Sequence, residues 1–282
     1  MCGPTASGKS ELSDSLAERL TGGLDEQVPA LVVDSMQVYR EIPTITNQAR
    51  RRPAELVGIV SVTEEWTVAR HKERAEEIIE RSATPFVLDA GTGMYLNAIV
   101  LGVPLAPKVQ SGTRRMAQEL TAGAPNPRRA SRAKELDLAG VPERGSIWDG
   151  DLRYDTTIVY LRPNSDLLDA AISRRSEVIV RDGLEEAAEL RVMARAEEGI
   201  NASVAGSIGV RELLAHLEGE LTIEEARAQI TARTHKLARR QIRWFDKLIT
   251  TLHGRTPVHV AESAPSAPET VVMNHMHDII GV

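Results

Sequence analysis

The sequence predicts an α/β protein in which a mostly parallel sheet is covered by helices on both faces. Short apolar runs alternate with segments of helical period over the first 160 residues, a glycine-rich turn opens the first helix, and from residue 166 onward the pattern is nearly all helical. The chain has 282 residues, 42% hydrophobic and 26% charged, which suits one large α/β domain or a core with a smaller module. Aromatic residues make up only 3%, so the core must come mainly from Leu, Ile, Val and Ala.

Residues 8–20 read as a helix, with Leu12, Leu16 and Leu20 at four-residue spacing. Residues 30–33 (ALVV) form a short buried strand ending in Asp34, and residues 67–81 a charged amphipathic helix. A second strand is expected over 85–88 (PFVL), a helix over 94–101 and a third strand over 156–161 (TTIVYL). Between 108 and 151 the chain is polar and rich in Gly and Pro, an insertion with one helix through the Arg128 region. Breaks near Gly183, Gly199 and Gly219 divide the helical part. Residues 222–252 carry two stripes at helical spacing, one of Ile230, Leu237, Trp244 and Leu248, the other of Arg233, Lys236, Arg240, Arg243 and Lys247. Residues 261–269 read as a linker. The expected organisation is a core begun by residues 1–107, an insertion over 108–151, the mainly helical remainder of the core over 152–252, and a flexible tail over 253–282.

Composition narrows the function. No apolar run is long enough to span a bilayer, and no leader of charged-then-apolar type precedes the glycine-rich turn, so the cytoplasm is the expected location and no membrane partner is expected. The single cysteine, Cys2, excludes an internal disulfide framework and a Cys-rich zinc site. The net charge is −6, yet between Arg227 and Lys247 seven Lys/Arg face one acid, Asp246, and further clusters lie at 50–52 and at Arg128, Arg129 and Arg132. An acidic protein with confined basic patches suits selective contact with one polyanion. Nothing demands more than a monomer.

The turn is Gly3-Pro4-Thr5-Ala6-Ser7-Gly8-Lys9-Ser10, the spacing of a phosphate-binding P-loop, which makes a P-loop NTPase-like core and a bound nucleotide or other phosphate ligand the expectation. Its glycines let the backbone curl so that N–H groups point inward at phosphate oxygens, and the helix that follows adds its positive end. Lys9 supplies a charge to the terminal phosphates, and Ser10 is the candidate ligand for Mg²⁺. Such a loop normally follows a central strand, whereas here only Met1 and Cys2 precede it. Either the true start lies upstream or the sheet lacks that strand; the first is the expectation.

What distinguishes this P-loop chain follows the next two strands: Asp34-Ser35-Met36-Gln37-Val38-Tyr39, then Gly91-Thr92-Gly93-Met94-Tyr95, both at strand ends where open α/β sheets bind ligands. Together with Arg128-Arg129-Ala-Ser-Arg132, Ile208-Gly-Val-Arg211-Glu212 and Ala238-Arg-Arg-Gln-Ile-Arg-Trp-Phe245, in order, they resemble the tRNA dimethylallyltransferase family. The resemblance implies transfer of a five-carbon isoprenoid group from dimethylallyl pyrophosphate to N6 of the adenosine 3′ of the anticodon, with Mg²⁺. It further implies that the P-loop grips a pyrophosphate leaving group and that Asp34 is the general base, a helix cap or a ligand of a Mg²⁺-bound water being the other roles open to it. By the same resemblance Asp34, Ser35, Met36 and Gln37 contact the target base and its neighbours, Thr92 and Arg114 touch the tRNA, and Arg128, Arg129 and Arg132 hold the anticodon loop of a base turned out of its stack. A solvated basic helix face is the alternative for that arginine stretch. Arg211 is either a pyrophosphate partner in catalysis beside Lys9 or one end of a surface salt bridge; Trp244 and Phe245 are expected in the core.

The chain departs from the family's pattern in three places. The acidic Asp89 precedes Ala90-Gly91-Thr92-Gly93 where the family usually has Gly-Gly-Thr-Gly. Residues 44–50 (TITNQAR) replace the usual Gly-Thr-Ala-Lys, and the insertion is short before Pro127. Asp89 is also where many P-loop NTPases place a Mg²⁺-positioning acid. Competing readings are an adenylate isopentenyltransferase acting on free AMP or ATP, a small-molecule P-loop kinase and a non-catalytic nucleotide-binding regulator. The arginine stretches argue against the first, and no arginine-rich lid supports the second.

Overall fold

Two apolar runs of four residues, ALVV at 30–33 and IVYL at 158–161, anchor the sheet, and a run buried on both faces has no polar side to show. The computed structural model describes residues 1–22, 27–103, 105–107, 109–142 and 145–261. In chain order the elements are α1 (Lys9–Gly22), β1 (Ala30–Val33), α2 (Pro43–Thr46), β2 (Ala54–Glu55), α3 (Val68–Glu80), β3 (Val87–Ala90), α4 (Gly93–Val100), α5 (Ser111–Leu120) and α6 (Pro127–Leu138). There follow β4 (Ile158–Leu161), α7 (Ser165–Asp182), α8 (Leu184–Arg195), α9 (Ala202–Ala205), α10 (Val210–Leu217), α11 (Ile223–Leu252) and β5 (Val258–Ala261). The mixed α/β fold with a parallel sheet is the one the sequence predicts.

The strands run β2-β1-β3 on one side and β4-β5 on the other, every pair parallel. Cys2 joins the two halves, bridging Ala90 of β3 and Tyr160 of β4. Its N–H donates to Val159 O and its carbonyl accepts from Leu161 N, both at 2.9 Å. The Met1 carbonyl accepts from Ala90 N at 2.9 Å, and the Met1 amino group donates to Leu88 O at 2.9 Å. The residues that feed the P-loop therefore lie in the sheet between β3 and β4.

Alternation along the strands separates two faces. Leu31, Val33, Ala90, Ile158 and Tyr160 share a core with Leu96 and Ile99 of α4 and with Phe245 and Leu248 of α11. Val87, Val159, Leu161 and Ala261 face Leu12, Leu16 and Ala17 of α1. Period two thus turns Asp89, like Val87, toward α1.

Several boundaries differ from those the sequence suggests. β3 begins two residues later than 85, because Pro85 has no N–H for the ladder; Val87 N makes the first bond, to Pro29 O at 3.1 Å. The insertion holds two packed helices, α5 and α6, rather than one. Among the described residues of α5 only Ala117 is buried, while Met116 and Leu120 are 54% and 62% exposed, so α5 rests on α6 through few apolar side chains. Residues 258–261, assigned to the tail, form β5 against β4 through backbone bonds that no side-chain pattern announces. The linker and tail beyond residue 261 lie outside the described residues. On α11 the buried set is Ala226, Ile230, Thr234, Ala238, Phe245, Leu248 and Leu252, so Leu237 and Trp244 stand at the edge of the core stripe. Trp244 lies on Gly93, where an added Cβ would sit 2.2 Å from its ring.

His71 of α3 is fully buried and accepts a hydrogen bond at Nδ1 from Trp66 Nε1 at 3.1 Å. Burial lowers its pKa to about 4. An unfolded chain protonates this ring near pH 6.5, so the stability it confers is complete above that pH and is lost as pH falls toward 4. Wild type should lose about 3 kcal/mol more than His71→Gln between pH 6.5 and 4, measured by urea denaturation; parallel pH profiles would contradict this. Gly93→Ala should lower the unfolding free energy by about 1–3 kcal/mol through the collision with Trp244, read as a lower urea midpoint.

Candidate functional site

The P-loop hangs between the Cys2 bridge and α1. Gly3 admits no side chain, since a Cβ there would lie 2.9 Å from Leu161 O. Gly8 has φ 82°, and Ala6 takes φ 61°, a left-handed conformation costing an L-residue roughly 1–2 kcal/mol. Packing against Leu168, Ile172, Ala238 and Ile242 of α7 and α11 offsets that cost. Ser7 and Lys9 are buried, and Ser10 lies in the first turn of α1.

Two further turns converge on Lys9. Asp34 leaves β1 half-buried; its Oδ1 accepts from Met36 N at 2.8 Å and Gln37 N at 3.3 Å. Those bonds fix the carboxylate and leave Oδ2 on the Gly91 side. A Cβ added to Gly91 would lie 2.7 Å from Asp34 Oδ2 and 3.5 Å from Lys9 Nζ, so only glycine permits the approach of both. Burial pushes the Asp34 carboxyl above its ordinary value, opposed in part by the Met36 N–H, Lys9 and the Gln37 N–H. The effect is a fixed carboxylate of raised basicity, one oxygen open, beside the lysine of the glycine-rich loop. Thr92 caps the start of α4 and ties the turns together, its Oγ1 accepting from Ser35 N at 3.2 Å. Gln37 is buried and its Oε1 has no hydrogen-bond partner among the described residues.

Asp89 adds a second carboxylate on the α1 side. Arg50 donates to Asp89 Oδ2 and to Asp14 Oδ1, each at 2.6 Å, in a cluster almost without solvent. Burial pushes the Asp89 carboxyl up, but Lys9, Arg50 and the Ser10 side chain more than reverse this and hold it below its ordinary value.

The sequence reading missed two residues that hold this arrangement. Gln241, in the motif quoted for its arginines, accepts from Thr5 N at 2.9 Å and donates to Gly91 O at 2.8 Å, clamping the P-loop to the Gly91 turn from α11. Arg50 showed only as one member of a basic triplet. A lone uncharged Gln amid arginines was the available signal for the first; an arginine preceding an acid-free run held none for the second.

The remaining predicted residues are divided. Arg132 donates to Pro107 O at 2.9 Å and pairs with the buried Glu135 at 2.9 Å, so it fastens the insertion to the core-side chain. Arg114 lies 3.6 Å from the same Glu135 and 3.7 Å from Glu65. Arg129 is exposed on the first turn of α6, while the Arg128 side chain lies outside the described residues. Arg211 is exposed at the start of α10 and makes no ion pair among the described residues; the bridge on this helix belongs to its neighbour Glu212, which holds Arg233. Lys236, Arg239, Arg240 and Arg243 likewise stand exposed without ion pairs among the described residues, and Lys247 lies over the Trp148 ring at 4.4 Å.

Comparison with known proteins assigns the family. Residues 37–248 match the model of the family described as IPP transferase. A tRNA dimethylallyltransferase of Rubrobacter xylanophilus is 57% identical over 282 residues, covering 100% of this chain and 97% of that protein. One from Corynebacterium efficiens is 35% identical, with 87% and 90% covered. Among solved structures, a eukaryotic dimethylallyltransferase acting on tRNA superposes with a TM-score of 0.75 at 22% identity, covering 99% of this chain and 77% of that one. The tRNA isopentenylpyrophosphate transferase of Bacillus halodurans gives 0.69 at 24%, with 99% and 94% covered. The chain belongs to the IPP transferase family.

Proposed function

We propose that this protein is a tRNA dimethylallyltransferase, moving the dimethylallyl group of dimethylallyl pyrophosphate to N6 of the adenosine 3′ of the anticodon and releasing pyrophosphate. The observation that carries this reading is the meeting of Lys9 with the open oxygen of Asp34 at Gly91, in a chain of this family. The P-loop N–H groups and Lys9 bind the pyrophosphate and take up the charge that grows on it as the C1–O bond breaks. Asp34 Oδ2 accepts the proton that N6 gives up as the new C–N bond forms. The bonds from Met36 and Gln37 orient that carboxylate, and its raised pKa makes it a better base. Arg211, exposed and unpaired by any acid among the described residues, is free to meet the pyrophosphate.

Mg²⁺ fits the Ser10 end of the P-loop. Among the described residues no group of three or more His, Cys, Asp or Glu is placed to hold a metal. That donor set suits an ion that keeps several waters and takes its other oxygens from a substrate's phosphates. When bound, the ion would neutralise pyrophosphate charge. Binding of the anticodon stem-loop falls to Arg128 and Arg129 on the insertion and to Thr92 and Gln37 at the base pocket. The protein acts as a monomer in the cytoplasm; among the described residues no helix is long and apolar enough to cross a membrane.

Purified protein given dimethylallyl pyrophosphate and Mg²⁺ should prenylate adenosine in an anticodon stem-loop, detected by nucleoside mass analysis. Prenylation of AMP or ATP instead would assign it to free nucleotides, and phosphate transfer from ATP would make it a kinase. Asp34→Asn should lower kcat by about 10²–10⁴ with donor affinity nearly unchanged; full turnover would remove Asp34 from the base role. Replacing Arg128 and Arg129 by Ala should weaken stem-loop binding and reduce the slope of log K against log salt by up to about 2. An unaltered slope would leave that helix face merely solvated.

A further inference from the structure

Asp89 takes no part in the proton transfer or in the P-loop's own grip on pyrophosphate. It stands where the family's pattern has no acid, on the strand beside the P-loop strand, and it is 2% exposed. Its two oxygens differ. Oδ2 is held by Arg50 at 2.6 Å, whereas Oδ1 is buried with no hydrogen-bond partner among the described residues. A charged oxygen left unpaired in the interior is costly, and a fold that has already supplied Arg50 gains nothing by keeping a second oxygen bare. The alternation of β3 directs this carboxylate toward α1, whose first turn carries Lys9 and Ser10, and both residues act on its charge. An acceptor at this position, next to the P-loop hydroxyl, is what an octahedral, water-bearing cation needs.

We propose that Asp89 is a positioning residue for the divalent cation that accompanies pyrophosphate, Oδ1 accepting from a water of the ion that Ser10 ligates, with Arg50 fixing Oδ2. This rests on the reading of the P-loop as a pyrophosphate site. Asp14 supports the arrangement only indirectly, by holding Arg50 from its other side. Arg50 also prevents the two acids from carrying unscreened charge in the absence of metal, so the site keeps its shape when the donor leaves.

The test is calorimetric titration of inorganic pyrophosphate into the full chain, with and without Mg²⁺, comparing the two affinities. Wild type should bind more tightly with Mg²⁺. In Asp89→Asn that gain should shrink by about tenfold or more, while metal-free binding holds or strengthens, because a negative charge has gone from beside Lys9. A second variant, Asp89→Val with Arg50→Met, replaces the buried ions by apolar groups and carries the same expectation should the first not fold. Asp14→Asn should keep the wild-type gain. An equal loss in Asp14→Asn and Asp89→Asn, or weaker metal-free binding in Asp89→Asn, would make the cluster a structural support and overturn the inference. No Mg²⁺-dependent binding by wild type would instead overturn the pyrophosphate reading, and this inference with it.

Discussion

The site depends on two residues of backbone. Met1 and Cys2 occupy the slot between β3 and β4, and their four hydrogen bonds, each 2.9 Å, join the halves of the sheet and aim the P-loop. These bonds hold the loop at one end only. The chain compensates from the opposite side: Ala6 is packed by α7 and α11, and Gln241 of α11 holds Thr5 and Gly91 in one amide. The loop is therefore fixed at its root by the sheet and at its crown by the C-terminal helix. Trp244, one turn further along α11, lies on Gly93 and donates to Asn97 Oδ1 at 3.2 Å, which extends the same support to α4.

Charge at the site is arranged by the same economy. Lys9 and Arg50 face Asp14, Asp34 and Asp89 with little water between them. The consequences for the two catalytic-side acids are opposite. Asp34, with no arginine of its own, is pushed upward by burial, and Asp89, with Arg50 and Lys9, is held down. Two carboxylates on either side of one lysine are thereby driven apart in basicity, the condition under which paired acids can take different roles.

Much of this was legible in the sequence, because it rests on local rules. The P-loop spacing, the Asp34 turn and the Gly91-Thr92-Gly93 turn are local patterns open to few residue types, and the two turns leave the ends of β1 and β3 side by side. The buried strands of β1 and β4 show as unbroken apolar runs. What escaped notice depends on partners distant in sequence. β5 exists because β4 offers it a ladder 100 residues away, Ile158 opposite Val258. Gln241 and Arg50 look like any polar residue until the fold brings Thr5, Gly91 and Asp89 to them. The pairing of α5 with α6 is likewise a tertiary fact, as so little of α5 is apolar.

The arginines show the same limit in its clearest form. A sequence gives every arginine one charge, but the fold decides how many remain available. Arg132 and Arg114 are drawn to one buried acid, Glu135, and Arg233 to another, Glu212. Arg129, Arg211 and, on α11, Lys236, Arg239, Arg240 and Arg243 are left exposed and without ion pairs among the described residues. The paired set holds the insertion and the C-terminal helices in place; the unpaired set retains its attraction for phosphates. An acidic protein of net charge −6 thus keeps exposed cationic groups, because its internal acids neutralise the arginines that brace the fold and leave the others unpaired among the described residues.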